Sequence, residues 1–155
     1  MGIFDILHVN ASFGNGTIFI HGQHELRINN RFVIKDTKMH FIAISKSYVI
    51  IVTDDPDLYN KSVIESYSPA RQGNLIAYDL NGKIAWKIND LITDVHYPFN
   101  CGHLATAEDI DFFSKWYGVV FDTDHEYYIG LTTAEEHYII DLTAKQLVAR
   151  KTVKS

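Results

Sequence analysis

The stretch Asn74–Ile88, NLIAYDLNGKIAWKI, reads as a β-hairpin. Leu75–Leu80 and Ile84–Ile88 are short aliphatic and aromatic runs. Asn81-Gly82 between them supplies the turn, because Asn and Gly tolerate the positive φ of a type I′ turn. A link this short cannot make a parallel crossover, so the two strands are antiparallel. His137–Arg150, HYIIDLTAKQLVAR, repeats the order: aliphatic strand, Asp-Leu, a short turn with Lys, apolar strand. The segments before each copy, FIAISKSYVIIVTDD (41–55) and WYGVVFDTDHEYYIGLT (116–132), are also hairpin-like.

Outward from these hairpins the same texture continues. The 155 residues include 19 Ile, 10 Val and 10 Thr, a quarter of the chain before aromatics are added, and such side chains suit a pleated, half-buried surface. Candidate strands are Thr17–Gly22, Glu25–Asn29, Arg31–Lys35, Met39–Ser45, Tyr48–Thr53, Asn74–Leu80, Lys83–Ile88, Trp116–Asp122, Glu126–Leu131, His137–Leu142 and Gln146–Val153. Asn29-Asn30 is a second hairpin turn, with Asp124-His125 and Thr143-Ala144-Lys145 as further turns. One helix is expected over Ala107–Tyr117. Thr106 is its N-cap, with Asp109 three residues on; Ile110, Phe113 and Tyr117 share a face, and Gly118 is the stop. A second short helix is conceivable after Pro56. The fold class is mainly β: antiparallel meanders, propeller-like or a sandwich or barrel, with one short helix near 107–117, in a single domain over 1–155.

The block Ala77–Trp86 resembles the blade motif of quinoprotein-type β-propellers, in which an Asp and a Gly turn precede a Trp. It is one residue shorter than that motif and lacks its Thr before the Gly, and the copy at 137–150 has neither Gly nor Trp. A propeller takes about four blades or more of four strands each. The chain has room for about three meanders, so the resemblance implies propeller-like meanders without ring closure.

Lys+Arg 14 against Asp+Glu 19 gives a net charge of −5. Phosphate neutralisation needs a basic face, and only Arg150, Lys151 and Lys154 cluster; nucleic acid is not an expected partner. Cys101 stands alone, so no intrachain disulfide can form. Met1-Gly2-Ile3-Phe4-Asp5 lacks a charged region followed by an apolar one, and no apolar run approaches the roughly 20 residues that span a bilayer. A cytoplasmic protein without membrane contact is expected.

Chemistry-bearing motifs are sparse. There is no G-x-S-x-G elbow, no phosphate-binding loop and no dinucleotide fingerprint. His96, Cys101 and His103, in the Pro/Gly segment HYPFNCGH, are the best metal or small-molecule candidates, since Cys and His at small spacing can ligate zinc. No fourth ligand is in view, and a buried thiol beside loop histidines accounts equally for the pattern. Asp122, Asp124 and Glu126 would form an acidic stripe if their segment were a strand. Solvation explains such acids as simply as catalysis does. Neither a catalytic residue nor a cofactor is expected.

The link 54–73 stands out, because links of about twenty residues are uncommon in small domains and often functional. It combines acids with tyrosines, and Asp54, Asp55, Asp57, Tyr59, Glu65 and Tyr67 are the candidate contacts for a basic protein partner. Small, acidic, β-rich and without catalytic motifs, the chain resembles in type the bacterial immunity proteins, which neutralise cognate toxins by covering or distorting their active regions. The resemblance implies a non-enzymatic inhibitor of a basic, nuclease-type toxin. A pocket near His96/Cys101/His103 is the alternative, and a structural subunit of a larger β assembly a second one.

Overall fold

Strand order follows chain order three times over. The computed structural model describes residues 8–13, 16–21, 25–29, 31–34, 39–53, 74–92, 95 and 97–152. The first sheet is β1 (His8–Phe13), β2 (Gly16–His21), β3 (Glu25–Ile28) and β4 (Arg31–Ile34). The second is β5 (Met39–Ile44), β6 (Val49–Thr53), β7 (Leu75–Tyr78) and β8 (Ile84–Lys87). The third is β9 (Phe99–Leu104), β10 (Tyr127–Thr132), β11 (Glu136–Asp141) and β12 (Gln146–Thr152). Each sheet is a four-stranded antiparallel meander. Among the described residues two helices accompany them: α1 (Ile88–Leu91), continuing β8, and α2 (Ala107–Tyr117), inserted between β9 and β10. The mainly β, meander-built fold class holds, and the described strands close no barrel.

The sheets stack, with the second in the middle. Side chains alternate across a strand, and β6 shows the consequence: all five of its residues are buried. Val49 and Ile51 join Ile18, Leu26, Ile28, Met39, Ile42 and Tyr78 in the core between the first and second sheets. Ile50 and Val52 point the other way, into a core with Leu75, Trp86, Phe99, Tyr128, Tyr138 and Ile140 between the second and third sheets. The third sheet's far face carries Tyr127, Ile129 and Ile139, which pack with Phe113 of α2 and Val119. The order of layers is therefore sheet, sheet, sheet, helix.

The two repeated hairpins share one device. Asp79 Oδ1 accepts the N–H groups of Asn81 (2.8 Å) and Lys83 (3.0 Å). Asp141 Oδ1 accepts those of Thr143 (2.9 Å) and Ala144 (2.8 Å). In each copy the Asp after the strand folds the turn by satisfying backbone donors. The turn after Asp79 is not type I′, however. Gly82 N–H donates to Asp79 O (3.1 Å), Asp79 N–H donates to Lys83 O (2.8 Å), and within the turn only Gly82 has positive φ, at 84°. This is a longer turn ending in a left-handed residue, and the Asp79 carboxylate explains why it displaces the two-residue one. Lys145 (φ 56°) and Asn29 (φ 53°) take the left-handed role in the other two sheets.

Three differences from the sequence reading have local causes. Trp116–Asp122 is not a strand: α2 runs through Tyr117, and Gly118 (φ 66°) stops it by donating its N–H to Phe113 O and Ser114 O. The strands β1 (HVNASF) and β9 (FNCGHL) escape the reading because Asn, Ser, Gly, Cys and His replace branched residues in them. The short helix α1 was not expected, and Asp90 caps it by accepting Lys87 N–H at 2.9 Å. The helix conceived after Pro56 lies outside the described residues.

Candidate partner-binding surface

The outer side of the third sheet is built by α2, and its position follows from its caps. Thr106 Oγ1 accepts Asp109 N–H (3.1 Å), while Asp109 Oδ2 accepts Thr106 N–H (2.9 Å) and the Thr106 hydroxyl (3.0 Å). His103, on β9, adds a 2.9 Å contact from Nε2 to the same Asp109 oxygen. Burial raises the Asp109 pKa, but the Thr106 N–H and His103 outweigh it and hold the carboxyl below the usual carboxylate range. The N-terminus of α2 is thereby tied to β9.

Phe113 is the buried anchor of α2, 3% exposed, with Ile110 and Tyr117 half-buried beside it. Phe112 and Trp116 lie one turn apart, 39% and 68% exposed, the Phe112 ring still touching those of Phe113 and Tyr117, and Val120 beyond the helix is 84% exposed. Glu108, Asp111 and Lys115 are exposed on the same helix. Sequence reasoning assigned the face of Phe113 and missed this one. The available signal was an excess: five large apolar residues in eleven, more than one core-facing stripe accommodates.

The other sequence candidates are distributed as follows. Asp54, Asp55, Asp57, Tyr59, Glu65 and Tyr67 lie outside the described residues, as does His96. The link that carries the first six leaves and returns at one end of the second sheet, where Thr53 N–H donates to Asn74 O at 2.8 Å. Cys101 and His103 are not in a loop: they sit two apart on β9, paired with Leu131 and Ile129 of β10. Burial pushes the Cys101 thiol pKa up, away from the thiolate that ligates and attacks. No group of three or more His, Cys, Asp or Glu among the described residues is placed to hold a metal ion.

Asp122, Asp124 and Glu126 form no stripe, because their segment is a turn and not a strand. Asp122 Oδ1 accepts Asp124 N–H (2.9 Å), and the Glu126 carboxylate accepts Lys46 N–H (3.1 Å) from the second sheet. Between them His125 Nδ1 lies 2.7 Å from Asp141 Oδ2. The carboxylates of Asp122 and Glu126 organise backbone.

Among the described residues no helix is long and apolar enough to cross a membrane. No protein-family model matches the chain, and no curated protein matches it. The surface must be read from its own chemistry.

Proposed function

We propose that this chain is a non-enzymatic protein-binding domain of the inhibitor type, an immunity protein that covers a basic, nuclease-type toxin in the bacterial cytoplasm. The observation that carries the reading is the outer face of α2, where Phe112 and Trp116 stand in solvent on a chain of net charge −5. Exposed aromatic side chains close together are the usual anchors of protein interfaces, and the charge favours a cationic partner. In this reading the link residues Asp54, Asp55, Asp57, Tyr59, Glu65 and Tyr67 add acidic and phenolic contacts. Two observations favour it over the alternatives. His103 is engaged by Asp109, which argues against a metal or substrate pocket there. The cover of α2 over the third sheet argues against a subunit that continues a stack of sheets.

The test is purification of the tagged full chain from its native cells, followed by mass spectrometry and a nuclease assay of whatever is retained. One stoichiometric basic protein is expected, released by salt, with an activity that the chain suppresses. Recovery of the chain alone, or only with copies of itself, would overturn the reading.

A further inference from the structure

The carboxylates of the described residues divide into two groups. Asp79, Asp90, Asp109, Asp122, Glu126 and Asp141 each accept at least one backbone N–H. They are consumed by turns and caps. Glu25, Glu108, Asp111, Asp124, Glu135 and Glu136 accept none among the described residues, and of these Glu108 and Asp111 are exposed together on α2. Helical spacing puts Glu108, Phe112 and Trp116 in one i, i+4 row, with Asp111 and Lys115 in the adjoining row. The face thus sets these carboxylates beside the exposed Trp116 ring and the part-exposed Phe112 ring, whose other side rests on Phe113 and Tyr117.

That arrangement is chemistry for a guanidinium. A cation is drawn to the face of an aromatic ring, and the planar fork of Arg can stack on the ring while bonding a carboxylate with two parallel N–H groups. The helix already displays the first half of this: Lys115 Nζ lies 5.5 Å from the centroid of the Trp116 ring. A lysine ammonium is a point charge and lacks the fork, so an incoming Arg makes contacts that Lys115 cannot. Phosphate-bearing partners are repelled by the same carboxylates.

Resting on the protein-binding reading above, we infer that the outer face of α2 docks an arginine-bearing segment of a basic protein, with guanidinium groups seated on Trp116 and Phe112 between Glu108 and Asp111. Trp116 is the centre of the contact, being the most exposed aromatic residue described. The acids supply orientation and rate of encounter.

The experiment is a titration of the isotopically labelled full chain with short oligo-arginine, oligo-lysine and oligo-glutamate peptides, followed by NMR. The chain has two Trp, and Trp86 is buried, so the Trp116 indole signal is a separate reporter. Oligo-arginine is expected to shift that indole and the amides of residues 108–116 saturably, about threefold to tenfold more tightly than oligo-lysine, with no response to oligo-glutamate. Glu108→Lys with Asp111→Lys abolishes the response. Glu135→Lys with Glu136→Lys, the same charge change where the β10–β11 turn enters β11, leaves it. Trp116→Ala removes it with an unaltered circular dichroism spectrum.

Shifts that map away from α2, or equal loss in the Glu135/Glu136 control, would overturn the assignment. So would concentration-dependent shifts of α2 without peptide, which would mark a second copy as the occupant. The two levels separate cleanly. A chain that captures a basic toxin undiminished by Trp116→Ala loses the docking assignment and keeps the inhibitor reading. A chain whose α2 binds oligo-arginine but retains no toxin does the reverse.

Discussion

The side-chain amide of Asn74 pairs with both backbone groups of Phe99, accepting its N–H on Oδ1 at 2.8 Å and donating Nδ2 to its carbonyl at 2.7 Å. This is the bonding a strand neighbour would offer, made by a side chain. It joins the second sheet to β9, the edge strand of the third, where Phe99 begins. Asn74 is itself buried, and Nδ2 also reaches Thr53 O at 3.3 Å. Asn74→Ala leaves two buried backbone groups of Phe99 unpaired, and leaving each such group unmet costs about 1–3 kcal/mol. Asn74→Ala is therefore expected to destabilise the chain by roughly 2–4 kcal/mol in urea unfolding. Asn74→Leu, of similar volume, should do no better, because the loss is polar and not steric.

A second junction depends on two glycines. Gly102 and Gly130 are direct partners on β9 and β10. A Cβ on Gly102 would overlap the ring of Tyr128, and one on Gly130 would come within 2.7 Å of Phe99. The rings occupy the space a side chain would take at the glycines, on the face that meets the second sheet, and Phe99 meets Tyr138 edge-on at 5.2 Å. Gly102→Ala should cost at least about 1–3 kcal/mol, the usual range for overpacking a core. The Tyr128 hydroxyl is buried with no hydrogen-bond partner among the described residues, and burial raises its pKa strongly. Tyr128→Phe is therefore expected to leave stability unchanged or raise it by about 1 kcal/mol. Thermal unfolding should shift to lower temperature in Gly102→Ala and should not fall in Tyr128→Phe.

Neither junction was legible in the sequence, and the reason is physical. Hairpins announce themselves through local turn chemistry, so Asp79–Lys83, Asn29 and Thr143–Lys145 could be read from neighbours in the chain. The cap at Thr106, Asp109 and the stop at Gly118 were equally local and fell where expected. Asn74 and Phe99 are separated by two strands, the turn between them and a short helix, and nothing in either residue's neighbourhood marks it as a bridge. The strand β9 was hidden because Gly102 serves a ring on another strand, which makes FNCGHL look like a loop. The same bias affected the site. Acids near one another looked like a patch, yet Asp122 and Glu126 are engaged with the backbone, whereas Trp116, read as the start of a strand, ends up 68% exposed on a helix.

The helix that displays those aromatics is held at both ends by separable devices. Thr106→Ala removes the acceptor of the Asp109 N–H and should cost about 1 kcal/mol. A Cβ on Gly118 would meet nothing within 4 Å, but its φ of 66° is left-handed, so Gly118→Ala should cost about 1 kcal/mol through backbone conformation alone. With no shared partner the two effects should add. Hydrogen exchange of the α2 amides checks both: each variant should quicken exchange across the helix, and strands β10 and β11 should respond less.

The loop after α2 is pinned by a titrating pair. His125 Nδ1 lies 2.7 Å from Asp141 Oδ2, and His125 Nε2 lies 3.5 Å from Asp122 Oδ2. The bond to Asp141, with the charges of Asp122, Asp141 and Asp124, raises the His125 pKa. Burial pushes the Asp141 carboxyl up, but the Ala144 N–H, His125 and the Thr143 N–H outweigh it and hold it low. The signs then fix a window. A raised histidine contributes stability that is full below its unfolded pKa near 6.5 and is lost as pH rises through the higher folded value. A lowered carboxylate contributes above its unfolded pKa near 3.9 and is lost as pH falls through the lower folded value. The pair therefore works best between about pH 4 and 6.5. The stability lost in His125→Gln should be greatest in that interval and shrink as pH rises through the raised folded value, where the wild-type imidazole becomes neutral. In Asp141→Asn, which also weakens the turn at Thr143 and Ala144, a loss should persist at pH 8. Urea unfolding of both variants across pH 4–8 reads this difference, and a His125→Gln loss that stays constant over that range would show that the charge on His125 does not hold the loop.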